Sequence, residues 1–205
     1  MNIDQEYIDF AKDAYNQCCN WFGTPEDEDW PYSIELFPRD GCCRMKLLHE
    51  YFIAVRSSYK CTEQIKSTIS HEMYHRVTMS RNTLRKNVWF DEVLAKLTQF
   101  HFMDISGYSE YADYSLRRNL ESCTTIHPAR LKRIRRSRFN FWFAREGYPR
   151  NFGVSVRRLA VSALEELSWE TMCVAASSNS WDDWIENIEP SERAKVKQIF
   201  GVYFD

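Results

Sequence analysis

The sequence predicts an α+β protein, with a first helix and a small antiparallel sheet within residues 1–60 and a mostly helical part over 61–205. Three observations predict it. Apolar residues recur at helical spacing near the start (Ile8, Ala11, Tyr15, Cys18) and along most of the chain after Cys61. Two runs between these regions, YSIELF (32–37) and the cluster Tyr51–Val55 within RMKLLHEYFIAVRSSY (44–59), are rich in β-branched and aromatic residues. A turn signal, Pro38-Arg39-Asp40-Gly41, closes the first of them.

In chain order, the first helix is expected over 4–20 and gives way to TPEDEDWP, a solvated loop of two prolines and four acids. The two strand runs follow. Helices are then expected over 62–79, 88–104, about 128–145, 152–176 and 191–203, separated at Pro128, Gly147-Tyr148-Pro149 and Pro190. At 205 residues the whole chain, 1–205, reads as one domain.

Apolar residues at 44% and charged residues at 27% argue for a globular chain, and a formal charge of −2 excludes a globally basic nucleic-acid binder. The seven cysteines are odd in number, include the neighbours Cys18-Cys19 and Cys42-Cys43, and form no CxxC. They read as reduced, small hydrophobic side chains. The start, MNIDQEYIDFAKDAY, lacks the basic and apolar regions of a signal peptide, and no apolar stretch approaches the ~20 residues that span a bilayer. A cytoplasmic protein without a membrane partner is expected.

The most informative stretch is His71-Glu72-Met73-Tyr74-His75. Histidines four residues apart lie on one face of a helix, so both imidazoles can reach one metal ion. Glu72 is rotated by about 100° from His71. That places its carboxylate beside the metal, where it can take a proton from a metal-activated water. HExxH arises by chance on the order of once per hundred chains of this composition, so a third ligand matters. Sixteen residues separate His75 from Glu92, which lies in WFDEVLA at the start of the next helical pattern. A carboxylate from a second packed helix completes a His₂Glu set for Zn²⁺ with a fourth position for water.

HEMYH, the gap of sixteen and WFDEVLA together resemble the gluzincin metallopeptidases, whose pattern is HExxH followed by W-L-N-E-G-[FL]-A. The resemblance covers about residues 62–100. It implies a zincin-like fold, zinc on His71, His75 and Glu92, Glu72 as general base, and a peptide or protein substrate. It also implies that Tyr51–Ser58 is an edge strand that pairs with an extended substrate. Asp91 and Val93 depart from the pattern's Asn and Gly, and Gln99 stands where many relatives have Glu. No GxMEN-like signature precedes the helix, so an endopeptidase is favoured over an aminopeptidase.

In gluzincins a downstream Tyr or His helps the metal to stabilise the oxyanion. The candidates are Tyr108, Tyr111, Tyr114, His127 and Tyr148, and Tyr148 in EGYPRNFG loosely resembles the family's helix entrance. His101 falls about 180° from Glu92 on its helix, and His49 sits near a turn; both read as structural. Residues 130–158 hold ten Arg or Lys against one acid, and 165–192 hold eight acids and no base. Either the two segments neutralise each other or the basic one, 130–158, meets an acidic partner. The functional expectation is a zinc-dependent metallopeptidase. The alternative is a nucleic-acid- or protein-binding regulator whose metal site is structural or inactive, with nucleic acid disfavoured. A repressor-cleaving regulatory protease is a further rival that WFDEVLA fits less well.

Overall fold

Phe10, Ala14, Cys18 and Phe22 recur every fourth residue with Ala11 beside them, and α1 (Gln5–Phe22) buries this stripe. The computed structural model describes residues 5–25, 33–37, 42–45, 51–56, 61–78, 87–121, 123–134 and 151–204. The later helices are α2 (Thr62–Thr78), α3 (Val88–Ile105), α4 (Ser109–Arg117), α5 (Pro128–Leu131), α6 (Phe152–Glu166), α7 (Trp169–Ser177), α8 (Trp181–Asn187) and α9 (Pro190–Phe204).

The expected α+β, zincin-like class with an antiparallel sheet does not hold. Where side chains are described, about 80% of residues are helical and none lies in a strand, so the packed part is all-helical. Three short strands are traced by their backbone alone: β1 (Ser33–Phe37), β2 (Cys42–Met45) and β3 (Tyr51–Arg56). Their order is β1-β3-β2. β1 runs parallel to β3, with Ser33 opposite Phe52, and β2 runs antiparallel to it, with Met45 opposite Tyr51. The turn at 38–41 invites a β1–β2 hairpin, yet β2 pairs with β3, the next strand in the chain, and β1 reaches past β2 to pair with β3 in parallel, which local turn chemistry does not specify. β3 is therefore the central strand. The expected substrate-pairing edge at Tyr51–Ser58 is excluded over Tyr51–Arg56, which are flanked on both sides.

The backbone clusters into two compact units, Met1–Ser80 with Thr98–Tyr114, and Arg81–Leu97 with Ser115–Asp205; α3 runs unbroken through Leu97 and Thr98. In the first unit, α1 packs along α2, and β2 and β3 also lie against α2. Phe10 meets Phe102 edge-on at 5.2 Å, and Phe22 meets Tyr74 at 5.4 Å. Lys66, only 7% exposed, is held among α1, α2 and the end of α3. Its ammonium reaches Glu6 at 2.5 Å, donates to the Tyr108 hydroxyl at 2.6 Å and lies 5.2 Å from the centre of the Phe10 ring. Burial disfavours that charge, but Glu6 and Tyr108 outweigh it and hold the ammonium above its ordinary pKa. Gly107 ends α3 at φ 85°, where a side chain would be strained, and turns Tyr108 back toward Lys66.

In the second unit, α9 packs on α5, α6 and α8, and α7 packs on α8. Phe200 and Trp184 are fully buried at its centre, and the indole N–H of Trp184 donates to the Thr171 carbonyl at 3.0 Å. The helix expected over 152–176 is divided at Leu167-Ser168, because Ser168 caps α7 by accepting from the Thr171 N–H at 3.2 Å. Among the described residues, two acids of 165–192 pair with bases outside the segment 130–158: Glu165 with Arg117 at 2.6 Å and Glu192 with Lys195 at 3.7 Å. Arg157 and Arg158 donate instead to carbonyls of Arg118, Leu120 and Cys123.

Glu192 joins α9 to α7. It accepts from the Ser168 N–H at 2.9 Å and from its hydroxyl at 3.1 Å. Burial opposes its charge, but Thr171, Ser168 and Lys195 together hold the carboxyl below its ordinary 4.5. Its contribution to stability is thus complete above about pH 4.5 and is lost as pH falls through the lowered value. Glu192→Gln should cost about 1 kcal/mol in urea unfolding at pH 7. The difference from wild type should narrow as pH falls below 4.5, and a gap that stays constant with pH would refute this role.

Candidate metal centre

α2 is a buried helix made largely of polar residues. Lys66, Ser67, Ser70, Glu72, His75, Arg76 and Thr78 are all buried. The hydroxyls of Thr68, Ser70 and Thr78 donate back to the carbonyls of Gln64, Lys66 and Tyr74, so they need no partner from another element. Uncompensated burial of ionisable groups costs several kcal/mol, and clusters of them mark functional sites more often than structural ones.

Ser67, His71 and His75 stand four residues apart and share one face of α2. Gln99 and Glu92, seven apart, share one face of α3. The Gln99 side-chain amide donates to the Ser67 hydroxyl, so the two faces meet there. Glu92 stands two turns before Gln99 on α3. Ligand atoms of His71, His75 and Glu92 all lie within 4.8 Å of one another. The Nε2 atoms of His71 and His75 are 3.2 Å apart, with the rings inclined at 79°. Two atoms each about 2.0–2.1 Å from a tetrahedral zinc stand about 3.3–3.4 Å apart, so the imidazole pair fits one ion. Two neutral nitrogen donors and one carboxylate also form a donor set suited to zinc.

Glu72 is 6% exposed. On the helix it lies about 60° beyond His75 and about 100° from His71, beside the ligand face and outside the ligand set. Tyr74, fully buried, meets the His75 ring at 5.4 Å and Phe22 at 5.4 Å, bracing the imidazole from its far side. The sequence reading passed over Tyr74 and the Ser67–Gln99 contact. The repeats 67-71-75 and 92-99 were the available signal for the second.

The remaining candidates are dispersed. The Tyr108 hydroxyl is engaged by Lys66, Tyr114 is 60% exposed beside Tyr111, and His127 caps α5 by accepting from the Ala129 N–H at 3.3 Å. His101 is partly buried against Phe100. Tyr148 and His49 lie outside the described residues. No protein-family model matches the chain, and neither a curated protein nor a solved structure is found to be similar to it. Among the described residues no helix is long and apolar enough to cross a membrane.

The Ser67–Gln99 contact predicts a linkage between register and metal affinity. Gln99→Ala strands a buried hydroxyl and should cost about 1–3 kcal/mol of stability. It should also weaken zinc binding about tenfold in a chelator competition titration. Unchanged zinc affinity in a destabilised Gln99→Ala chain would show that the contact does not set the ligand geometry.

Proposed function

We propose that the chain is a zinc-dependent metallopeptidase that hydrolyses peptide or protein substrates internally, with His71, His75 and Glu92 as ligands and Glu72 as general base. One observation carries this reading: three donor groups converge within 4.8 Å beside a buried carboxylate that is not one of them. A zinc ion held there supplies Lewis acidity and a water nucleophile at neutral pH. Glu72 accepts the proton on a carboxylate oxygen and returns it to the leaving amine. Its burial keeps bulk water from competing for that proton. The local resemblance of HEMYH and WFDEVLA to gluzincin segments supports the peptide substrate class, and the helical fold adds nothing to it.

A reducing cytoplasm is the proposed compartment. No disulfide joins Cys18, Cys19, Cys61, Cys123 or Cys173, and burial pushes the Cys173 thiol up to about 12, which keeps it protonated. The segment 130–158 is the proposed contact for an acidic partner or substrate segment, supported by the exposure of Arg130 and Arg133.

Purified protein should carry about one zinc per chain and cleave an unstructured protein substrate. Glu72→Gln should retain the zinc while turnover falls by about 10²–10⁴-fold. Zinc below about 0.3 per chain, with no uptake on addition, defeats the site itself. Zinc retained by a wild-type chain that cleaves nothing favours a regulator with a structural metal.

A further inference from the structure

The turn of α3 that presents Glu92 carries two fully buried aromatic residues, Trp89 and Phe90. Both are covered by α9. Trp89 lies 5.2 Å from Tyr203 and 5.1 Å from Phe204, and Phe90 lies 5.4 Å from Phe200 and 5.1 Å from Phe204. Phe204 also stacks on Trp181 of α8 at 4.7 Å, with the planes only 20° apart. Phe204 is thus the one ring in contact with Trp89, Phe90 and Trp181 among these contacts, and it is only partly buried itself.

We infer that Phe204 is a positioning residue for the metal ligand Glu92, so that docking of α9 and metal affinity are thermodynamically linked. The inference rests on the metal-site reading above. Glu92 follows Trp89 by three residues and Phe90 by two on one helix, so a rotation or shift of that first turn moves the carboxylate with it. His71 and His75 are carried by α2, whereas Glu92 is carried by the turn of α3 that α9 covers. A carboxylate held by a well-packed turn loses little freedom on binding the ion, whereas one on a frayed turn must be ordered at the cost of affinity. By linkage, bound zinc in turn holds α9 in its docked position.

The test is zinc competition against a chromophoric chelator on the full chain, with Co²⁺ absorption as a second readout. Phe204→Ala should weaken zinc about 10–100-fold and reduce the intense visible Co²⁺ bands of a four-coordinate site, while Phe204→Tyr keeps both near wild type. In a Glu92→Ala background, Phe204→Ala should have no further effect, because the ring acts through that carboxylate. Wild-type affinity in Phe204→Ala overturns the inference, as does an equal loss in the Glu92→Ala background, which marks general softening. If Phe204→Ala melts α9, Trp181→Leu leaves Phe204 in place and removes its stack, together with the edge-on contact of Trp181 with Trp184, and should weaken zinc about three- to tenfold, with no loss overturning the inference. A wild-type chain that binds no zinc overturns the site reading first; one that binds zinc while the Phe204 variants bind it equally well overturns only this inference.

Discussion

Burying a polar helix constrains everything around it. α2 places Lys66, Glu72, His75 and Arg76 out of solvent within three turns, and each charge or imidazole needs compensation that an isolated helix cannot supply. The hydroxyls of Thr68, Ser70 and Thr78 are satisfied by α2's own backbone. Lys66 is compensated by Glu6 and Tyr108, and His75 is packed against the Tyr74 ring. α2 also buries Ile69, Met73, Tyr74 and Val77 completely, and α1 and α3 add Phe10, Phe22 and Phe102 to the same core. α2 thus carries both a cluster of ionisable groups and an apolar stripe that joins the core.

The two ends of α3 are held by different physics. Its first turn is gripped by aromatic rings from α9, an apolar contact without directional bonds. Its later turns are fixed by the hydrogen bond of Gln99 to Ser67 and the edge-on contact of Phe102 with Phe10. Glu92 lies in the first of these two parts of α3, with Trp89 and Phe90.

The ligand set was legible because it depends on local periodicity. His71 and His75 share a face by spacing alone, and Glu92 stands out in WFDEVLA at a helix start. Long periodic helices were legible too, α2, α3 and α9 falling within a residue or two of their expected bounds. The sheet was not, because β1 passes over its neighbour β2 to pair in parallel with β3, and a turn signal says nothing about that choice. The break between α6 and α7 also escaped, since apolar spacing continues through Leu167 while Ser168 diverts its side chain to a cap. α4 was hidden behind Gly107 and a run of tyrosines that reads as loop. Tyr148, the expected oxyanion donor, lies outside the described residues.

Lys66 stands 60 residues from Glu6 and 42 from Tyr108, so its cage closes only when distant parts of the chain meet. A minimal peptide spanning α2 and α3 alone would retain His71, His75 and Glu92 and, if extended, even Tyr108, but it would lack Glu6 and Phe10. Its ammonium would then return to water and draw that end of α2 with it. The centre therefore belongs to the assembled protein and cannot be transplanted as a helical hairpin into another scaffold without also carrying over a substitute for α1.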